Sequence, residues 1–541
     1  MKKYLLLILI ALPATLALFQ PGFFPSHDGE WMVIRFSAFH HSLVEGQFPV
    51  RWSARLNHGY GYPVLNFLYP LPFYLAEIFF LFTQSFTLSI KWVFIASLLL
   101  SALTSFVWLK RHFSPLAALA GSVLYLYTPY RFVDAYVRGS VAESLAFVFV
   151  PLLFLSVDLI PKKRQLALSL GALAVAGTIL SHNVFSLFVV LSLVYGFITL
   201  PPKMWPQLML LILFGLGLSA YFWVPAISEL SLVRAADLIV ADPKAHLLNL
   251  SHLVIPSWGF GPADPKRPDS LSFQVGVVNL LVVVIAVLKF KGLKAKPRPV
   301  TFFLLLFVAA VFLMHTLSRP LWQVIPGIAV IQFPWRLLSV TTLATSFLAA
   351  WAVNHNRWRL AGIALITLSV ILTFPYAKTE TQFSKSDSFY ATNEDTTTVK
   401  QEYLPLWVKV PPRARTGDRV TFLSGRGVVA DLKETNRIIS FRLEASENAK
   451  VQIAQIYYPG WQATVNGQVV QLDYGDTGLM SVSLGQGVSF VSFRFGETRL
   501  RSLANWLSLT TLLGILSYWF CFYCQTPGTK TSTKKRTRKR I

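Results

Sequence analysis

Two acids stand one residue apart in the stretch "HDGEW", Asp28 and Glu30, just past the first long apolar run of the chain. An ionised carboxylate next to hydrocarbon is costly enough to require a partner or a task. A second concentration of charge is "TPYRFVDAYVRGSVAESLAF", where Arg131, Asp134, Arg138 and Glu143 fall between two further apolar runs. Arginine presents a planar fork of donors that matches phosphate oxygens, so this composition suits phosphate binding at a membrane surface. "SHNVF" adds His182 and Asn183, "WVPAISE" adds Glu229 and "QFPWR" adds Arg336, each at the end of an apolar segment. As a set on one side of the membrane they outline a pocket. Each also has a plain structural use. Asp28 can cap a helix beginning at Gly29, with Glu30 complementing the dipole of its first turn. The Arg and carboxylate groups can form an ion-pair network that pins a re-entrant loop. The isolated residues can serve as caps. Adjacent His40 and His41 cannot face one point on a helix, so no histidine-based metal centre is expected.

These residues need a scaffold, and composition describes one. The 541 residues are 54% hydrophobic and 14% charged, with mean hydropathy +0.52, and several runs approach the ~20 apolar residues that cross a bilayer. This is the pattern of a polytopic α-helical membrane protein. The net charge of +24 does not signal nucleic acid, because Lys and Arg sit mainly in short loops and in the tail "KTSTKKRTRKR". Placing those loops inside gives about 12 spans with both termini cytoplasmic. "MKKYLLLILIALPATLALF" reads as an uncleaved first span. "YPLPFYLAEIFFLFT", from Tyr69, is short and broken by proline, and is placed as an embedded or interfacial element on the outer face.

Residues 1–375 then form a transmembrane module with a long first outer loop, 21–91. Within that loop Met32, Phe36, Phe39 and Leu43 share one helical face, as in an interfacial amphipathic helix. Its aromatic residues, Trp52, Tyr60, Tyr62, Tyr69 and Tyr74, are either sugar-stacking surfaces or the ordinary aromatic belt. From 376 to 501 the apolar residues alternate in "RIISFRLEAS", "KVQIAQIYY" and "VSFVSFRF", and Asn466-Gly467 sits at a type I′ turn. An extracytoplasmic C-terminal β-sandwich is expected there, with "YYPGW" and "DYGDTGLM" available to line a carbohydrate surface and Trp461 equally suited to the sandwich core. A final span, 502–524, carries Cys521 and Cys524 at its cytoplasmic end, so no disulfide framework is expected, and 525–541 is a basic cytoplasmic tail.

The order of these features resembles the GT-C class of membrane glycosyltransferases. More closely, "HDGEW", "GYGYPVLNFLYPLPFYL", "PYRFVDAYVRGSVAE", "SHN", "YFWVPAISE", "IQFPWRLLS", "QEYLPLW" and "YYPGWQATVNG" resemble the bacterial YfhO-like membrane proteins and relatives labelled "6-pyruvoyl-tetrahydropterin synthase-related", in sequence along nearly the whole chain. Soluble pterin synthases hold zinc through a histidine cluster that is missing here, so the label implies no pterin chemistry. The resemblance implies an enzyme of the plasma membrane that moves a sugar, with inversion, from a polyprenyl-phosphate donor to an envelope glycan, glycolipid or protein acceptor on the outer face. It implies Asp28 as the base, with Glu30 or Glu143 as a second acid that orients the acceptor or a divalent metal where one is used. Asp-Gly-Glu replaces a tandem acidic pair, which leaves the metal open, and no other cofactor is implied. Arg131, Arg138 and Arg336 are candidates for stabilising the leaving phosphate. Asp134, Glu143, His182, Asn183, Glu229, Tyr62 and Tyr69 are candidates for the pocket and acceptor side. Two other classes compete. A lipid-linked glycan transporter places charged or broken helices near the bilayer midplane, and a non-catalytic glycan-binding assembly protein uses Asp28 only as a cap.

Overall fold

Long apolar segments with proline or glycine at their ends give this chain a bundle of discrete helices. The computed structural model describes residues 2–236, 242–325, 327–380, 385–395, 401–415 and 417–525. The basic tail beyond 525 and the side chains of Cys521 and Cys524 lie outside the described residues. The principal helices are α1 (Lys2–Ala11), α2 (Gly29–Val44), α3 (Leu71–Thr83), α4 (Phe86–Leu109), α5 (Pro115–Leu126), α6 (Val141–Leu159), α7 (Arg164–Ser181), α8 (Ser186–Thr199), α9 (Trp205–Ser228), α10 (Val277–Lys291), α11 (Arg298–Met314), α12 (Leu338–Ala352), α13 (Arg359–Thr373) and α14 (Arg499–Gln525).

Among the described residues six helical segments are long and apolar enough to cross a membrane: Lys2–Phe19, Phe86–Leu109, Val141–Leu159, Arg164–Ser181, Pro202–Leu232 and Asn356–Tyr376. Sequence counting gave about twelve crossings. Several of the expected spans are shorter helices because turn residues stop them early, whereas α14 runs 27 residues. Helix α5 ends at Leu126, before Thr128-Pro129, and α10 is bounded by Gly276 and Gly292. Outward-facing Leu213, Val284, Leu305, Leu360 and Leu513 are more than half exposed. An apolar belt of this kind belongs against lipid.

Helix α2 differs from the interfacial helix expected for it. Val33, Ile34 and Ala38 are buried as well as Met32, Phe36 and Phe39. It packs against α3, α4 and the short helix Asp387–Thr392, and Ser37 and Ser42 donate to the carbonyls of Tyr390 and Trp52.

The C-terminal domain is two facing antiparallel sheets. Strands β1 (Val420–Ser424), β4 (Ala449–Ile456) and β7 (Leu479–Leu484) form one, in the order β1-β4-β7. Strands β2 (Gly427–Glu434), β3 (Ile438–Ala445), β8 (Gly487–Phe495), β5 (Trp461–Val465) and β6 (Gln468–Val470) form the other, in the order β2-β3-β8-β5-β6. Alternation sends Ile439, Phe441, Leu443, Val451, Ile453, Val491 and Phe493 into the shared core. Asn466 and Gly467 both take positive φ, 50° and 81°, as a type I′ turn requires. Trp52 of the first loop inserts into the same core, 5.4 Å from Phe495 and 5.9 Å from Trp461 between ring centroids.

Two buried polar clusters fasten this domain to the helices. Arg501, at the start of α14, makes a bidentate pair with Glu229 at 2.8 and 2.7 Å, and the same carboxylate accepts from Tyr458 Oη and Asn66 Nδ2, each at 2.9 Å. Arg51 donates to Glu497, Asn66, Asn505 and the Tyr221 carbonyl.

Candidate functional site

The loop carrying Asp28 is built onto the loop preceding Glu143. His27 and Asp28 donate their amides to the carbonyls of Val137 and Arg138, at 3.1 and 2.8 Å. Gly139 has φ +65°, and a Cβ there would stand 2.7 Å from the Gly29 nitrogen; a Cβ at Gly29 would stand 2.5 Å from Ser26 Oγ. Two glycines thus let the backbones touch, which gives the central residue of Asp-Gly-Glu a reason of its own. Before this contact the chain makes a short helix, Pro129–Phe132, and a wide π turn over Val133–Val137, closed by the Arg138 amide donating to Val133 O at 2.8 Å.

The π turn separates two arginines that a regular helix would place on one face. Arg131 enters the helix bundle, where its guanidinium lies 3.9 Å above the Phe147 ring and donates to Ser101 Oγ at 2.8 Å. Arg138 turns toward Glu143. Its Nη1 contacts Asp134 Oδ1 at 2.9 Å and Glu143 Oε2 at 2.8 Å, while its guanidinium sits 5.0 Å from the Trp335 ring.

Glu143 is the centre of the cluster. Fully buried, it accepts from Tyr130 Oη at 3.0 Å through Oε2, and its Oε1 lies 3.2 Å from Arg336 Nε and 3.5 Å from His182 Nε2. Neither Oε1 contact has hydrogen-bond geometry, and only the one to Arg336 is an ion pair; Oε1, Arg336 Nε, His182 Nδ1 and Trp335 Nε1 are all buried without a hydrogen-bond partner. Ser144 donates to Asp134 Oδ2 at 3.0 Å. Burial, then the Glu143 carboxylate, pushes the Asp134 carboxyl well above its ordinary range, against the pull of Arg138. Burial brings His182 down to about 3, so its ring is neutral. The Tyr69 ring lies 4.8 Å from that ring, tilted by 40°. Burial raises its hydroxyl, and Asp28, Arg35 and Glu143 all act on it, so one phenol lies within the fields of both acidic loops.

Asp28 itself is exposed, and its carboxylate makes no capping bond to the first turn of α2, contrary to the capping expectation. Among the described residues from 2 to 375, every other acid accepts a hydrogen bond or joins an ion pair; Asp242 and Asp264, for example, accept from the amides of Lys244 and Lys266. Glu30 pairs with Lys385 at 2.5 Å and faces Tyr390 Oη at 3.4 Å.

The structure therefore brings together Asp134, Arg138, Glu143, His182 and Arg336, with Tyr69 and Asp28 beside them. It separates four others. Arg131 lies in the bundle, Glu229 in the Arg501 cluster, and Tyr62 is buried with its hydroxyl accepting from the Tyr403 amide at 3.0 Å. Asn183 is exposed and bonds the Val184 amide. Tyr130 and Trp335 were missed, although "TPYRF" and "QFPWR" place each beside a predicted arginine. Among the described residues no group of three His, Cys, Asp or Glu is placed to hold a metal.

No family model matches the chain. A protein of Lactococcus lactis subsp. cremoris (strain MG1363), described as uncharacterized, is 26% identical over 242 residues, 42% of this chain and 39% of that protein. Among solved structures, the arabinofuranosyltransferase AftD from Mycobacteria aligns with 69% of this chain and 26% of its own, at TM-score 0.47 and 14% identity. The Archaeoglobus fulgidus oligosaccharyltransferase in its apo form aligns with 72% of this chain and 56% of its own, at TM-score 0.43 and 12% identity. The matches thus span well under two thirds of the length of each of these proteins.

Proposed function

We propose that the chain is a membrane glycosyltransferase that moves a sugar from a polyprenyl-phosphate donor to an envelope acceptor on the outer face of the membrane. The observation that carries this reading is the unpaired, exposed carboxylate of Asp28 next to a buried cluster with two guanidiniums. Asp28 takes the proton of the acceptor hydroxyl as its oxygen bonds to the anomeric carbon. The bond from that carbon to the phosphate oxygen breaks on the opposite face, and its electron pair stays on the phosphate. Arg138 spends only Nη1 on Asp134 and Glu143, so the rest of its fork is available to the growing phosphate charge, with Arg336 alongside. Neutral His182 and the protonated phenol of Tyr69 hydrogen-bond the sugar. Glu143 holds the two guanidiniums in place, and Glu30 anchors the Asp387–Thr392 segment through Lys385. In this arrangement both termini are cytoplasmic and residues 376–501 are extracytoplasmic.

The test is release of polyprenyl phosphate from polyprenyl-phosphate hexoses and pentoses by purified protein in nanodiscs. Asp28→Asn should lower turnover by about 10²- to 10⁴-fold, the usual contribution of a general base, with folding intact because the carboxylate makes no bond. Equal turnover by wild type and variant would end the assignment of Asp28.

A further inference from the structure

The β-domain carries a surface that the chemistry at Asp28 does not use. Tyr457 and Tyr474 stack with centroids 4.4 Å apart and planes 4° from parallel, and Trp407 lies 5.9 and 5.6 Å from them. All three are partly exposed. Trp407 is fixed by donating Nε1 to the Tyr457 carbonyl at 3.1 Å, while the hydroxyls of both tyrosines make no hydrogen bond among the described residues. Exposed, pre-ordered aromatic planes with polar rims are what the C–H faces of a sugar ring stack on.

Beside the rings is a polar sheet face. Pairing places Thr421, Gln452 and Ser481 in one row across β1, β4 and β7, and Lys450 opposite Ser483 in the next. Alternation turns these residues away from the sandwich core. The 470–473 stretch borders the same face and encloses an open depression of about 430 Å³ whose lining is mostly polar, from Lys450, Gln471, Asp473, Ser481 and Ser483, with Val470, Leu472 and Val482 between them. Tyr474 follows Asp473 directly in the chain, which sets the rings next to the rim of this depression. From Lys450 to Tyr457 the strand rise gives about 20 Å, the span of a short oligosaccharide.

Charge selects the ligand. Lys450 pairs with Asp473 at 2.5 Å and Lys409 with Asp476 at 2.7 Å, which leaves amides, hydroxyls and neutralised ion pairs to meet a ligand. Both of these lysines are therefore already engaged by carboxylates, which disfavours a polyanion. An extended peptide would add to a strand edge, whereas these groups lie on a face. We infer that this face of the β-domain binds a neutral oligosaccharide of several units. That the bound chain is the acceptor rests on the transferase reading. The connection is physical: residues 401–408 run from Tyr403, whose amide donates to Tyr62 and whose ring stacks on Phe67 at 5.1 Å, to Trp407 in the patch.

The test is equilibrium binding to full-length protein in nanodiscs. The probes are linear neutral pentasaccharides of glucose, galactose, mannose, N-acetylglucosamine and arabinose, with a glycerol-phosphate oligomer and an extended peptide as contrasts. Saturable binding of at least one pentasaccharide is expected, weakened about 10-fold or more by Tyr474→Ala through loss of one stacking plane. Tyr474→Phe keeps the ring and should bind within about 2-fold of wild type. The inference is overturned if no pentasaccharide binds, if only the phosphate oligomer or peptide binds, or if Trp407→Ala and Tyr474→Ala leave binding unmoved. Binding without polyprenyl-phosphate release would remove the transferase reading and keep this site; release without binding would do the reverse.

Discussion

Replacing Glu143 by Gln removes the carboxylate that Arg138, Arg336, His182 and Tyr130 share, at 2.8, 3.2, 3.5 and 3.0 Å. Breaking a buried ion pair by deleting one charge destabilises by about 3–5 kcal/mol, because the partner charge stays buried and uncompensated. Here a second carboxyl moderates the loss. Asp134 contacts the same Arg138 nitrogen, and its ionisation is opposed partly by Glu143. Once that charge is gone, Asp134 ionises more readily and restores part of the balance, so the expected loss is about 3 kcal/mol, the lower end of the range. Adding Asp134→Asn removes the reserve, and the double variant should lose about 5 kcal/mol or fail to fold. The assay is equilibrium unfolding in mixed micelles followed by tryptophan fluorescence. A loss below about 1 kcal/mol for Glu143→Gln, the range of an exposed pair, would refute the view that these charges are buried and mutually dependent.

Three further outcomes follow from the same geometry. Gly139→Ala forces a side chain onto a φ of +65° and sets its Cβ 2.7 Å from the Gly29 backbone nitrogen, so a loss of about 2 kcal/mol is expected together with lower turnover; unchanged turnover would mean that the loop contact does not position Asp28. Arg501→Met strands Glu229 and should cost about 3–5 kcal/mol, with more than half recovered in Glu229→Gln/Arg501→Met; additive losses would show that the pair is not coupled. His182 is held near 3 when folded and at its ordinary 6.5 when unfolded, so the unfolded chain gains the proton first. Its contribution is therefore complete above pH 6.5 and falls as pH drops toward 3, with a slope approaching ~1.4 kcal/mol per unit. Wild type should lose more stability than His182→Gln between pH 6 and 4, and parallel curves would exclude His182 as a source.

The clustering of Arg138, Glu143, His182 and Arg336 was legible because all sit at ends of apolar segments, where charge in a membrane protein has few other places to go. The β-sandwich was legible from period-two alternation and from one Asn-Gly turn. What the sequence hid depended on partners distant in the chain or on helix phase. Arg131 and Arg138 are seven residues apart, a spacing that shares a face in an α-helix, and only the π turn between them sends one into the bundle. Glu229 looked like a pocket acid until Arg501, Tyr458 and Asn66 met around it. Trp52 and Tyr62 had the composition of a sugar-stacking loop but are fully buried. Burial needs a second surface, and for Trp52 that surface is the β-domain.

The same pairing logic bears on Asp28. Among the described residues from 2 to 375 the other acids are satisfied: Glu77 with His40, Asp158 with His112, Trp108 and Tyr195, Glu229 with Arg501, and Glu30 with Lys385. Against that habit a carboxylate left open beside an apolar surface needs a use outside the folded chain. Helix capping is an intramolecular use that leaves a hydrogen bond to the first turn, and that bond is missing. Asp28→Ser separates the two uses. Serine is as good a cap as aspartate, so a structural role predicts full activity, whereas a proton-accepting role predicts the same loss as Asp28→Asn.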